Sequence, residues 1–142
     1  MAVTVDRVHR RTIHPFHAFL LAGAVPLFLG ALLSDIAYAR SYQIQWSNFA
    51  SWLIAGALVF AGFSMLWALV DLFSASRRGN RAAVYFVLLL ATWVLGFINA
   101  LEHAKDAWAI MPTSLVLSVL VALLACAAAW FGLATVRVGG AP

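Results

Sequence analysis

The chain's ionisable ligand groups are few: four histidines and five carboxylates in 142 residues. They fall into two sets that are distant in sequence. The first is "TIHPFHAFLL", where His14 and His17 flank Pro15 one helical turn apart, with Asp71 as a candidate partner. The second is "FINALEHAKDAW", with Asn99, Glu102, His103, Lys105 and Asp106, joined by Asp35, Tyr38 and Arg40 from earlier in the chain. Two cofactors suit these residue types. A b-type haem takes axial ligands on opposite faces of the ring. His14 and His17 share one turn, so a porphyrin cannot slide between them. A haem would need a second copy, pairing His17 with its mate or His103 with its mate. A quinone headgroup instead needs a donor such as His103 or Tyr38, helped by Asn99. It also needs an acidic relay such as Asp35 or Glu102, and a flat wall such as Trp46, Trp93 or Trp108.

Other chemistries are missing. "HPFH" offers two ligands where a closed zinc site needs four. There is no serine-nucleophile motif, no glycine-rich phosphate loop and no CxxC. The single cysteine, Cys126, cannot form an intrachain disulfide and reads as a small packing residue.

The elements that carry these groups are membrane helices. The composition is 65% hydrophobic and 10% charged, with a mean hydropathy of +0.96, far from that of a soluble domain. Residues 12–34, 41–70, 82–101 and 107–136 contain no Asp, Glu, Lys or Arg. Each is long enough to cross ~30 Å of hydrocarbon at ~1.5 Å per residue. Their unbroken apolar length excludes a β-barrel, whose strands alternate over ~10 residues. The expected fold is all-α: four transmembrane helices in an antiparallel bundle. Residues 1–142 then form one domain, with spans at about 15–37, 48–72, 82–103 and 112–135.

Basic residues orient a membrane protein. Arg7, Arg10 and Arg11 precede span 1, Arg77, Arg78 and Arg81 separate spans 2 and 3, and Arg137 follows span 4. Only Arg40 and Lys105 lie on the other side. Both termini are therefore expected in the cytoplasm of a bacterium, with the chain in its inner membrane. The net charge of +4 is then explained by topology and anionic lipid headgroups, and no nucleic-acid partner is expected. Ala37-Tyr38-Ala39 also has the form of a signal-peptide cleavage site, which would remove span 1. "HRRTIH" lacks the apolar pair of a twin-arginine signal.

Pro15 suits a first helical position, where its missing N–H costs nothing, and Pro26 should bend span 1. "AYARSYQIQWSNFASW" reads as a periplasmic segment, partly flat on the membrane, with Tyr38, Tyr42, Trp46 and Trp52 at headgroup level. Gly79-Asn80 is the expected turn before span 3, and "RVGGAP" an expected frayed end. In span 3, Thr92, Gly96, Asn99, His103 and Asp106 recur at steps of 4, 3, 4 and 3. That is one helix face, and it should look into the bundle.

Each polar set also has a plain reading. His14 caps a helix, His17 sits at the interface, Asp71 pairs with an arginine of the next loop, and His9 is solvated. On the other side, Arg40 and Lys105 neutralise Asp35, Glu102 or Asp106. Under the functional reading, ionisable groups within a membrane mark a site.

Three stretches, "IHPFHAFLLAGAVPLFLGALLSDIAY", "FASWLIAGALVFAGFSMLWALVDL" and "LLLATWVLGFINALEHAKDAWAIMP", resemble the bacterial membrane proteins grouped as domain of unknown function 2231. The shared marks are His-Pro at the start of span 1, Asp35, Gly62 to Asp71, and Asn99 with His103. The resemblance covers about residues 12–136. It implies a four-helix inner-membrane protein, associated with periplasmic quinoprotein sugar or aldehyde dehydrogenases. The leading expectation is thus an anchor or electron-transfer partner linking such a dehydrogenase to membrane quinone, and not an enzyme by itself. A cofactor-free structural subunit of a membrane complex, or of a homo-oligomer, is the competing expectation. A small transporter ranks below both, because spans 1, 2 and 4 carry no central charge.

Overall fold

A computed structural model describes residues 14–74 and 80–133. It is a bundle of four helices: α1 (Pro15–Ser41), α2 (Ile44–Phe73), α3 (Asn80–His103) and α4 (Thr113–Leu133). A 3₁₀ turn, Ala107–Ala109, lies between α3 and α4. All four helices are long and apolar enough to cross a membrane. His9, the arginines at 7, 10, 11, 77, 78 and 137, Gly79 and the "RVGGAP" end lie outside the described residues.

The helices form a ring in which α1 and α3 each pack on both α2 and α4. The first turns of α1 lie against the last turns of α2 and the start of α3, through the ring contacts of His14 and His17 with Trp67 and of His17 with Tyr85. We call this end proximal. The other end, with the connections at 42–43 and 104–112, is distal.

Small residues fill the centre. Ala24, Ala31, Ala57, Ala61, Ala125 and Ala128 are buried, with Phe28, Ile54 and Val121 as the larger packing units. Apolar burial drives no association between helices already surrounded by lipid, so close van der Waals approach does that work. Gly23 shows how close: a Cβ there would stand 2.5 Å from the Phe60 ring. The outer surface is apolar too, with Leu33, Val70, Leu123 and Trp130 exposed. Cys126 is exposed as well. It faces outward and does not pack, because on α4 the inward positions go to Ala122, Ala125 and Ala129.

The helices also run further than the apolar stretches. α1 continues through Pro26 and past Asp35 to Ser41, and α2 starts at Ile44. The segment expected as periplasmic and partly flat on the membrane is thus a continuation of α1 and the start of α2, helix except for Tyr42 and Gln43. It contains no Gly or Pro to stop a helix, and its Ala, Gln and Arg residues favour one. Tyr42 ends α1 in the left-handed region (φ 51°), with its N–H on the Tyr38 carbonyl at 2.7 Å. At ~1.5 Å per residue, the 27 residues of α1 span ~40 Å. Asp35, six residues before its end, is therefore ~9 Å inside the helix tip.

Candidate functional site

The distal site is built from α3 upward. Steps of 4, 3 and 4 put Thr92, Gly96, Asn99 and His103 on its buried face. Gly96 belongs there because Phe28 of α1 and Leu58 of α2 close to 3.1–3.3 Å of where its Cβ would be. Asp106 does not continue the stripe. It is exposed beyond the helix and accepts from the Trp108 N–H at 3.3 Å, starting the 3₁₀ turn.

α1 brings Asp35, fully buried, to this face. Its Oδ1 is 2.8 Å from His103 Nε2, and its Oδ2 accepts from Ser118 Oγ of α4 at 2.5 Å. Asn99 Nδ2 donates to the same Ser118 oxygen at 2.8 Å, and His103 Nδ1 is 2.9 Å from the Asn99 carbonyl. Three helices thus meet in one network of four hydrogen bonds.

Donor and acceptor counting fixes much of its proton content. A backbone carbonyl only accepts, so His103 Nδ1 carries hydrogen. Between Nε2 and Oδ1 there is one further proton, on the ring as imidazolium or on the carboxyl. Asp35 and His103 together are neutral either way. With Oδ2 unprotonated, Ser118 gives it its only hydrogen, so Asn99 must face Ser118 with its NH₂ group. Asn99 Oδ1 is then left buried and without a partner.

The other distal candidates lie around this network. Tyr38 is buried, but its hydroxyl donates to the Ala107 carbonyl at 2.8 Å and ties α1 to the connection. Glu102 pairs with Lys105 at 2.6 Å. Asp35 is therefore compensated by His103 and Ser118, where charge sign alone suggested Arg40 or Lys105. Arg40 is exposed.

The aromatic wall expected for a quinone is dispersed. Trp108 is 74% exposed and stacks on Tyr42, with centroids 5.7 Å apart. Trp93 stacks on Phe97 and lines an apolar groove of about 490 Å³ between α2 and α3. It lies ten residues, or ~15 Å, along α3 from His103. Trp46, at the start of α2, is partly exposed. With both ring nitrogens of His103 engaged and the Tyr38 hydroxyl spent on a carbonyl, these residues do not fit an open quinone-headgroup site.

The proximal set is organised by rings. His14 caps α1, its Nδ1 accepting from the Phe16 N–H at 3.3 Å. Trp67 of α2 lies 5.0 Å from the His14 ring and 5.8 Å from that of His17. His17 is buried, and its Nε2 is 2.7 Å from the Tyr85 hydroxyl of α3. Its Nδ1 has no partner among the described residues. Asp71, one turn beyond Trp67, acts electrostatically on both His17 and Tyr85. Gly132 of α4 makes room for Tyr85, whose hydroxyl and ring would come within 3.0–3.1 Å of a Cβ there.

Neither buried histidine presents a free ring nitrogen on the outer surface, so pairing His17 or His103 with its mate around a haem does not fit this arrangement. No group of three or more His, Cys, Asp or Glu able to hold a metal occurs among the described residues.

Reading the sequence singled out Asp35, Asn99 and His103, which the fold brings together. It missed Ser118, Tyr85 and Trp67. Ser114 and Ser118, four residues apart in an otherwise Ala/Leu-rich helix, were the available signal for the first. A family model described as "Predicted membrane protein (DUF2231)" matches residues 13–141. No curated protein and no solved structure matches the chain.

Proposed function

The chain belongs to the DUF2231 family of predicted membrane proteins, and we propose that it is a membrane anchor subunit that holds a peripheral partner at its distal face. The observation that carries this reading is the closure of the distal network. Both oxygens of Asp35 and both ring nitrogens of His103 are engaged within the chain. Such a site ties α1, α3 and α4 together and leaves neither His103 nor Ser118 free to donate to a headgroup. The electron-transfer variant, with quinone reduced at His103, would first have to break these bonds, so anchoring is favoured over it.

Residues 1–142 act as a single domain in the bacterial inner membrane. The helices are antiparallel, the termini cytoplasmic and the distal end periplasmic. Two arguments support this orientation: the excess of arginine around the proximal end, and the contacts of the start of α1 with the end of α2. The partner is a periplasmic dehydrogenase of the quinoprotein type, as the family resemblance implies. Its docking surface is the rim formed by the Tyr42–Trp108 stack and the Glu102–Lys105 pair. Large aromatic side chains at the centre of an interface typically contribute ~2 kcal/mol or more to binding.

Cell fractionation tests the proposal. Quinoprotein dehydrogenase activity should sediment with membranes from wild-type cells and move to the soluble fraction when this protein is deleted. Replacing Tyr42 and Trp108 together with Ala should release most of it. Activity that stays on the membrane after deletion would overturn the anchoring role.

A further inference from the structure

We propose that the Asp35–His103–Ser118–Asn99 network is a proton-binding site, able to take up one proton beyond the one it already shares. The ligand is a hydron from water at the distal face, and the acceptor atom is Asp35 Oδ2.

In the arrangement described, Oδ2 accepts from Ser118 and Ser118 accepts from Asn99 Nδ2. A proton arriving on Oδ2 makes that oxygen a donor. Ser118 must then accept from Asp35 and give its own hydrogen to another acceptor. A helical serine can return its hydrogen to the carbonyl four residues back, as Ser34 and Ser51 do, but that bond joins no two helices. To keep the chain of bonds across the helices Ser118 needs an acceptor opposite it, and a group left unpaired would cost about 1–3 kcal/mol.

Here the acceptor is in place. Asn99 Oδ1 belongs to the amide already touching Ser118, is buried, and has no partner among the described residues. A half-turn of the amide presents Oδ1 to Ser118 in place of Nδ2. The chain then runs Asp35 to Ser118 to Asn99, reversed in direction. Four hydrogen bonds exist before and four after, and the buried group without a partner passes from Asn99 Oδ1 to the Asn99 NH₂. The bonds from His103 to Oδ1 and to the Asn99 carbonyl persist. The carboxylate and one proton become a carboxylic acid, and the network gains one positive charge.

The orphaned amide oxygen thus has a use that a purely structural lock would not give it. The titratable groups around the pair are Tyr38 and Arg40 on α1, Tyr42 between α1 and α2, Glu102 on α3, and Lys105 and Asp106 between α3 and α4; the distal halves of α2 and α4 carry none. Glu102, next in sequence to His103, acts on it electrostatically and offsets the gained charge.

Difference infrared spectroscopy tests the site on the full chain in lipid nanodiscs. Acidification should produce a carboxylic-acid carbonyl band that is absent in Asp35→Asn. In Asn99→Leu the amide acceptor is gone, and the same band should need about tenfold more acid. Ser118→Ala removes the relay between the two side chains and should move the band in the same direction; it decides the matter if Asn99→Leu does not fold. The proposal is overturned if no Asp35-dependent band develops while circular dichroism shows the helices intact. It is equally overturned if every folded variant of this pair titrates like the wild type.

Discussion

His17 and His103 are both buried imidazoles near helix ends, and the bundle treats them in opposite ways. His103 is the last residue of α3, so its Nδ1 can reach back four residues to the Asn99 carbonyl. His17 is the third residue of α1, and the residue four before it, Ile13, lies outside the described residues. Its Nδ1 has no partner among the described residues. A carboxylate and a serine complete the distal set, whereas rings surround the proximal one. The distal end is locked by directional bonds across three helices. Among the described residues, His17 at the proximal end is held by ring contacts and its bond to Tyr85.

The largest effect should come from breaking the distal lock. Asp35→Leu leaves His103 and Ser118 without their shared partner. Removing one member of a buried charged pair costs about 3–5 kcal/mol. Thermal unfolding in detergent should show a steep loss of stability, and a change under 1 kcal/mol would mean the network carries little of the fold. Gly132→Ala attacks the proximal end by volume alone. It would push the Tyr85 ring off α4 and weaken its bond to His17, for about 1–3 kcal/mol. Nuclear magnetic resonance should show the His17 ring signals moving while those of His103 stay.

Tyr85→Phe removes only the hydroxyl and should cost about 1 kcal/mol, less than any substitution of Asp35. If it costs more, the two ends are not as different as their bonding suggests. Lys105→Ala is the smallest. Its ion pair with Glu102 is an i, i+3 contact whose lysine is 57% exposed, and it should change the unfolding temperature hardly at all, in keeping with ~0.5 kcal/mol or less for such pairs.

Much of this was legible in the sequence, and the reasons differ by element. The four spans follow from unbroken apolar length, and the stripe Thr92–Gly96–Asn99–His103 from helical period. Period says which residues share a face but not what stands opposite. Asp35 was therefore assigned to the distal cations by charge sign, although its partners are an imidazole and a serine. Ser114 and Ser118 share a buried face of α4, but their spacing does not say that Asp35 and Asn99 stand opposite Ser118. The Tyr42–Trp108 stack joins two different connections, and no local pattern announces it. The helical course of 38–41 and 44–47 was hidden because Tyr and Trp suit both a membrane-surface segment and a helix tip.

The central claim is that His103 is held at both ring nitrogens by Asp35 and Asn99 within a closed network. Nitrogen-15 resonance of the histidine rings in nanodiscs tests it most directly. The account predicts that His103 Nδ1 stays protonated and slow to exchange, and that Asp35→Asn alters the Nε2 signal. It is contradicted if His103 exchanges freely with water, carries its hydrogen on Nε2 with Nδ1 bare, and does not respond to Asp35→Asn.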